Sequence, residues 1–491
     1  MLEVAPLGPV LSLDKKRTTS QVMLVKGSLG LVNEENMSML TDLYELTMCA
    51  SYFDNKRLEP ATFDLFIRRL PQNRSYFLFA GLEQVLLFLE KMRFAEEHIK
   101  FLKGQGFKED FLEYLRNFKF SGDVWAVPEG TVVFPNEPLI RVTAPIIEAQ
   151  LIETFLLNTI NLQTTIATKA SRVVYAAQGR SVIEFGLRRE HGTDAGMKVA
   201  RASYIAGCNG TSNVLAGMIY GIPVFGTMAH SFVMFFDSEI ESFRAFAKTF
   251  PDKSTLLIDT FDNIKGAENA ITVAKELEKM GFRLRGVRID SGDLVEISRK
   301  VRKMLDNNGL GYVQIFASGD LDEYKIEELL SKGAKIDAFG VGTRMGTSAD
   351  RPYVDIIYKL CEKMNEKGKF EPVMKLSERK ATLPGRKQVF RFKDKEGKFV
   401  KDIIALEGEN IGGESLLVKV MEKGKIIYEL PSLEEIRKNA LNNLSKLPEK
   451  YKKLRGVAKY PVELSPKLKR LIRDLREKLK KVEDTVSDRR L

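Results

Sequence analysis

From Ser181 to Thr343, short apolar runs alternate with helix-like segments, and this rhythm constrains the fold more than any other feature of the chain. The runs are SVIEF (181–185), PVFGT (223–227), TLLID (255–259), LRGVRID (284–290), VQIFAS (313–318) and DAFGVGT (337–343). Between most of them lie amphipathic stretches such as ENAITVAKELEKM and DLVEISRKVRKML. Strands that alternate with helices build a parallel sheet with right-handed crossovers. This many units in one run favour a closed α/β barrel, although an open doubly wound sheet shows the same alternation. The stretch Asn209–Leu215 has no pattern that places it.

The flanks read differently. Residues 1–36 form an N-terminal extension, with Met37 an equally good start. Its short apolar patch precedes Lys15, Lys16 and Arg17, the reverse of a secretory signal. Residues 37–147 are expected to be an N-terminal α/β domain. Residues 37–120 read as mainly helical, with TDLYELTMCASYF and LEQVLLFLEKM amphipathic, and 121–145 as short strands cut by Pro and Gly. A long helical pattern from Glu148 to Gln178 opens the barrel domain, 148–375. Residues 376–491 leave the rhythm. VFRFKDKEGKFVKDIIAL reads as a hairpin, Ser432 to Glu435 as a capping box, and Ser465-Pro466 as the start of a last helix. This tail is expected to pack back on the N-terminal region as an α/β cap.

Composition excludes several classes. No apolar run reaches the roughly 18 residues of a membrane span. The three cysteines are far apart and odd in number, which fits neither a disulfide framework nor a zinc site and suits a reducing cytoplasm. The net charge of +11 suits nucleic acid or small polyanions such as phosphate esters. Much of the excess lies in PKLKRLIRDLREKLKK, where it is the solvated face of an amphipathic helix, and no aromatic-plus-basic pattern supports nucleic-acid binding.

Barrel active sites lie at the C-terminal ends of the strands, and here those ends are polar. His230, one of three histidines, follows PVFGT. Glu184 ends one run and leads into Gly186-Leu187-Arg188-Arg189-Glu190-His191-Gly192. Asp259 ends another and is a candidate support for His230 or for a sugar hydroxyl. Arg288 and Asp290 end a third, followed by Ser291-Gly292-Asp293. Arg188 and Arg288 can clamp phosphate or carboxylate through forked hydrogen bonds. The turns at Ser318-Gly319-Asp320 and Gly340–Thr343 can offer backbone N–H groups to phosphate. Asp290 and Asp293 suit Mg²⁺ held against a pyrophosphate, while Asp293 reads equally well as a helix cap. Glu184 reads as a support for an arginine, His191 as a neighbour of the site, and His98 in AEEHIK as a solvated helix residue.

Several long motifs then appear in one order: LTDLYELTM (40–48), EFGLRREHGTDAG (184–196), GTSNVLAG (210–217), PVFGTMAHSFV (223–233), RIDSGD (288–293), FGVGT (339–343), MKLSERKATLPGRKQVFR (374–391) and YPVELSP (460–466). Through these the chain from Met37 to about Leu479 resembles nicotinate phosphoribosyltransferases, a type II phosphoribosyltransferase family. The resemblance implies an irregular α/β barrel with an N-terminal α/β domain. It implies transfer of phosphoribose from 5-phosphoribosyl 1-pyrophosphate to nicotinate in NAD synthesis, with Mg²⁺ and coupled ATP hydrolysis, in a cytoplasmic homodimer that shares its active sites. By motif, His230 is the residue that ATP phosphorylates. Phe185 and Tyr44 sandwich the pyridine, with Tyr44 supplied by the second subunit in related enzymes. Arg188 and Arg288 divide the carboxylate and phosphate clamps. Asp290 serves the ribose or the reacting centre, and Gly319, Asp320, Gly342 and Thr343 cradle the 5′-phosphate. Lys375 and Lys380 are candidate phosphate contacts. Ser212 stands where nicotinamide-using relatives carry an aspartate, which implies preference for the acid over the amide. Quinolinate phosphoribosyltransferases share the barrel but are shorter and lack GTMAHS. A non-catalytic basic binding protein would leave the polar strand ends without a purpose.

Overall fold

A computed structural model describes residues 30–375 and 382–488. Six parallel strands form one sheet: Ser181–Glu184, Gly210–Thr211, Thr255–Leu257, Gly286–Ile289, Gln314–Ala317 and Ala338–Val341. The last pairs with the first, Val341 opposite Glu184. Since the other neighbours follow chain order, this pairing curls the sheet into a barrel. The barrel is irregular. The expected strand at PVFGT shrinks to one bridge, Thr211 to Val224, and among the described residues no ladder joins it to Thr255–Leu257. Side chains cross that seam instead. The Arg285 guanidinium lies 5.3 Å over the Phe225 ring, and Arg288 bonds to Thr227 and Met228. The unplaced stretch near Asn209 supplies the two-residue strand Gly210–Thr211, too short for any periodicity to reveal.

A second sheet of seven strands forms the N-terminal body. An inner strand, Pro60–Ile67, is flanked by Pro138–Pro145 and Ile356–Met364, both antiparallel to it. The expectation of a mainly helical 37–120 misses this strand. Seven of its eight residues are buried, so the alternation that marks a half-buried strand is absent. The helices in this stretch are Leu43–Asp54, Leu82–Lys91, Glu96–Gly104 and Glu109–Arg116. His98, expected in solvent, is buried. Its Nδ1 accepts the Ala95 N–H at 3.1 Å and so closes the start of its own helix.

Helix Glu153–Ala176 is the shared wall. Leu156 and Ile160 pack into the N-terminal core, and Ile166, Ala170 and Val173 into the barrel core. Its buried polar stripe satisfies backbone at the join: Thr168 and Thr164 accept the N–H groups of Leu78 and Ala80 at 3.0 and 3.2 Å. The tail forms the expected hairpin, Lys387–Lys393 with Phe399–Leu406. The capping box of helix Leu433–Lys446 is formed, with Ser432 and Glu435 bonding reciprocally. From that helix Arg437 donates to the carbonyls of Tyr204, Gly207 and Cys208. It thus satisfies acceptors at the end of barrel helix Thr193–Ile205. The cap therefore braces the barrel as well as the N-terminal sheet, where Arg141 donates to the Lys387 carbonyl at 2.8 Å. Among the described residues no helix is long and apolar enough to cross a membrane.

Candidate active site

A cavity of about 1370 Å³ opens at the C-terminal ends of the barrel strands. Its walls include Phe185, Arg188, Ser212, His230, Arg288, Asp290, Asp293, Gly319, Asp320, Gly342 and Thr343. Six strand-end segments bring these residues together from positions far apart in the chain.

Arg288 and Asp290 are the best-organised pair. They point inward from one strand end, two residues apart. Arg288 Nη2 donates to Asp290 Oδ1 at 2.9 Å, Nε to Ser318 Oγ at 2.8 Å, and Nη1 to Thr227 Oγ1 and the Met228 carbonyl at 2.7 and 3.2 Å. The Ser318 hydroxyl donates to Asp290 at 2.5 Å. Burial would push the Asp290 carboxyl up, but the Ser318 hydroxyl and the Arg288 guanidinium outweigh it and hold the group below the usual carboxylate range. Asp290 is thus a fixed negative charge in the cavity wall.

His230 is the first residue of the short helix His230–Met234. Its Nδ1 lies 3.1 Å from Thr260 Oγ1, and its Nε2 lies 4.0 Å from Asp259 Oδ1. Asp259 is buried. Its Oδ2 accepts the Asp290 N–H at 3.0 Å and the Ser291 hydroxyl at 2.6 Å, while Oδ1 has no hydrogen-bond partner. One carboxylate therefore braces the Asp290 backbone, while its second oxygen lies beyond hydrogen-bond reach of the histidine.

At Gly319 φ is +94°, and a Cβ there would lie 2.0 Å from the Asp290 carbonyl oxygen. Only glycine lets the two strand ends approach this closely. Asp320 follows at φ +48°, and Arg344 holds its carboxylate through two hydrogen bonds of 2.8 and 2.6 Å. Asp293 caps helix Leu294–Asn307, its Oδ1 accepting the N–H groups of Val295 and Glu296 at 2.9 and 3.1 Å. One of its oxygens is therefore committed to the helix.

Two candidates lie elsewhere among the described residues. Tyr44 is half exposed on helix Leu43–Asp54 and takes no part in the wall of the cavity. Lys375 is exposed, and its backbone N–H donates to Thr382. Lys380 lies outside the described residues. Among the described residues Glu184 bonds to no arginine, contrary to expectation; it accepts the Gly186 N–H and the Thr211 hydroxyl. The motifs did not single out Thr227 or the hydroxyl of Ser318 as supports for Arg288. The serine sits in a Gly-polar turn, which is a readable signal, whereas Thr227 reaches Arg288 only across the barrel seam.

Comparison with known proteins agrees with this geometry. Residues 39–161 match the nicotinate phosphoribosyltransferase N-terminal domain, 181–398 the nicotinate phosphoribosyltransferase family, and 409–472 the nicotinate phosphoribosyltransferase C-terminal domain. The chain is 48% identical over 434 residues to nicotinate phosphoribosyltransferase pncB2 of Mycobacterium tuberculosis, covering 88% of this chain and 92% of that one. It is 40% identical over 462 residues to the nicotinate phosphoribosyltransferase of Bacillus subtilis, covering 88% and 94%. The crystal structure of human nicotinic acid phosphoribosyltransferase superposes with a TM-score of 0.80 at 30% identity, over 89% of this chain and 99% of that one. A fold and site of this kind define a barrel enzyme that handles phosphorylated substrates. The chain belongs to the nicotinate phosphoribosyltransferase family.

Proposed function

We propose that this protein joins nicotinate to 5-phosphoribosyl 1-pyrophosphate, giving nicotinate mononucleotide and pyrophosphate for NAD synthesis, with ATP hydrolysis coupled through His230. The observation that carries the reading is the convergence of an aromatic face, two arginines, a fixed carboxylate and glycine-lined turns on one cavity. Phe185 offers the pyridine its ring, and Arg188 pairs with the nicotinate carboxylate. The turns at Gly319-Asp320 and Gly342-Thr343 take the 5′-phosphate on backbone N–H groups. The reaction is a displacement at the anomeric carbon. As pyrophosphate departs, positive charge grows on the ribose, and Asp290 stabilises it. The pyridine nitrogen attacks without a general base, so positioning supplies much of the rate.

Mg²⁺ bound with the pyrophosphate neutralises charge on the leaving group. The residues fit such an ion. The Asp290 carboxylate lines the cavity, and Asp259, which accepts the Asp290 backbone N–H, keeps a buried oxygen with no hydrogen-bond partner; Asp293 can offer only the oxygen that its helix cap leaves free. Among the described residues no three carboxylate, histidine or cysteine side chains converge, which suits a cation that takes much of its coordination from substrate oxygens and water.

His230 faces the cavity with a ring held at Nδ1 by Thr260, an arrangement that suits an imidazole nucleophile. A phosphoryl group there adds negative charge beside the pyrophosphate site. The half-exposed Tyr44 supports a homodimer in which this ring closes the partner's cavity, with Lys375 and Lys380 as further phosphate contacts. We assign the enzyme to the cytoplasm. The test is pyrophosphate release from nicotinate and 5-phosphoribosyl 1-pyrophosphate, with and without ATP, by the native protein and by His230→Ala. The native enzyme is expected to be stimulated by ATP and to form ADP. The variant is expected to keep a basal rate and lose the stimulation. ATP stimulation that survives in His230→Ala would show the phosphohistidine assignment to be wrong.

A further inference from the structure

Between Phe185 and Arg188, on one side, and the barrel body, on the other, lie two carboxyl groups that the reaction does not use. Glu184 ends strand Ser181–Glu184. Its carboxylate accepts the Gly186 N–H and, at 2.6 Å, the Thr211 hydroxyl of the neighbouring strand. Glu190 sits at the far end of the same turn and folds back beneath it. An ideal Cβ at Gly186 would lie 2.4 Å from Glu190 Oε1 and 3.0 Å from Glu184 Oε1, so both carboxyls crowd one glycine. A Cβ at Gly346 would lie 2.6 Å from Glu190 Oε1, and one at Gly196 would lie 3.1 Å from Glu190 Oε2. Three glycines from three parts of the chain thus make room for one side chain.

Both Glu190 oxygens are buried, and no N–H or O–H donor among the described residues bonds to them. Among the described residues no cation pairs with either carboxyl; Arg437, which acts on the nearby Cys208 thiol, is committed to the carbonyls of Tyr204, Gly207 and Cys208. Strand Ser181–Glu184 presents Glu184. The strand Gly210–Thr211 presents the Thr211 hydroxyl, and Cys208 just before it is buried, its thiol pushed up to about 12 by burial and by Glu184. Helix Thr193–Ile205 and helix Thr343–Gly346 face Glu190 with Gly196 and Gly346. Two carboxylates cannot both be charged in such a place. The simplest arrangement is one shared proton, with Glu190 donating to Glu184. Burial, then the Glu184 charge, pushes Glu190 up to about 9, and burial raises Glu184 as well. The two titrate as a pair.

We infer that Glu190, as a neutral acid hydrogen-bonded to Glu184, is a positioning residue that holds the Phe185–Arg188 turn in the shape that receives nicotinate. The inference rests on the assignment of Phe185 and Arg188 to that substrate. When Glu190 loses its proton, a second buried negative charge forms beside Glu184, and the turn that it anchors loosens. The group works while protonated, so its effect is complete at neutral pH and is lost as pH rises through about 9.

The experiment compares KM for nicotinate and for 5-phosphoribosyl 1-pyrophosphate from pH 6.5 to 10, in native enzyme, Glu190→Gln and Glu190→Ala. Native enzyme is expected to show a nicotinate KM that climbs about tenfold per pH unit above the pair's midpoint. Glu190→Gln keeps a donor in the same shape, so its nicotinate KM should stay within about threefold of native at pH 7.5 and lack the alkaline rise. Glu190→Ala should raise nicotinate KM about tenfold and leave the other KM within about twofold. An unchanged alkaline rise in Glu190→Gln would overturn the inference. If Glu190→Ala does not fold, the glutamine pH profile decides alone. Native enzyme that turns over no nicotinate would sink the underlying functional reading instead, and the two failures are distinct.

Discussion

Ser212 shows how much one side chain can decide. Its backbone N–H is tied to the Glu184 carbonyl at 2.9 Å, so its position is set by strand pairing and only its side chain is free to vary. Ser212→Asp places a carboxylate in the same wall as Arg188. Two like charges about 4 Å apart at the dielectric of a protein surface repel by roughly 4 kcal/mol. We expect kcat/KM for nicotinate to fall by up to about 1000-fold and that for nicotinamide to rise. Parallel assays with the two substrates check this, and an unaltered ratio would contradict the role given to Ser212. At this scale the site was largely legible. Polar residues at strand ends are visible in a sequence, and eleven of the fourteen candidates line one cavity. The supports were not legible. Thr227 reaches Arg288 across a seam, and Glu190 owes its setting to Gly196 and Gly346, which no local pattern connects to it.

Elements carry the next level of specificity, through close approach. Gly340 lies mid-strand in Ala338–Val341, beside Ser181–Glu184. A Cβ there would lie 2.6 Å from the Phe185 ring and 2.8 Å from the Phe316 ring. The strand therefore sets where the aromatic face sits. Gly340→Ala should displace that face and raise nicotinate KM about tenfold, with the enzyme still folded by circular dichroism. Native KM in this variant would mean that Phe185 does not bear on nicotinate. The barrel strands other than Gly210–Thr211 were readable because each is a short apolar run bounded by turn residues. PVFGT has the same composition yet forms only one bridge. Pattern alone cannot tell a strand from an extended segment whose neighbour lies out of reach. Pro60–Ile67 failed in the opposite way, since burial of nearly the whole strand erased its alternation.

Over the whole molecule, buried charge ties the barrel to the N-terminal body. Arg201 on barrel helix Thr193–Ile205 donates to both oxygens of Glu129 at 2.7 and 3.0 Å and to Glu83 at 2.6 Å. Arg201 and Glu129 are both buried. Burial would raise the Glu129 carboxyl, but the Arg201 guanidinium outweighs it and holds the group below the usual range. The stabilisation is therefore present above the ordinary carboxylate range and is lost as pH falls through the lower, folded value. Arg201→Met leaves Glu129 buried and unpaired, and should cost about 3–5 kcal/mol, seen as a lower thermal midpoint at pH 7. Loss of the midpoint difference under acid, where Glu129 is neutral in the variant, would accompany it. A variant as stable as native protein at pH 7 would show the tie to be dispensable. Such long-range pairs are the least legible part of a sequence, because nothing in Arg201 or Glu129 names its partner.

The central claim is that the barrel mouth is a phosphoribosyl-transfer site built for a pyridine carboxylate. Its most direct test is product formation by the native protein from 5-phosphoribosyl 1-pyrophosphate and Mg²⁺, with nicotinate and nicotinamide supplied in parallel. Nicotinate alone should yield its mononucleotide with one pyrophosphate released per turnover. Preference for nicotinamide, or no turnover of nicotinate, would contradict the account.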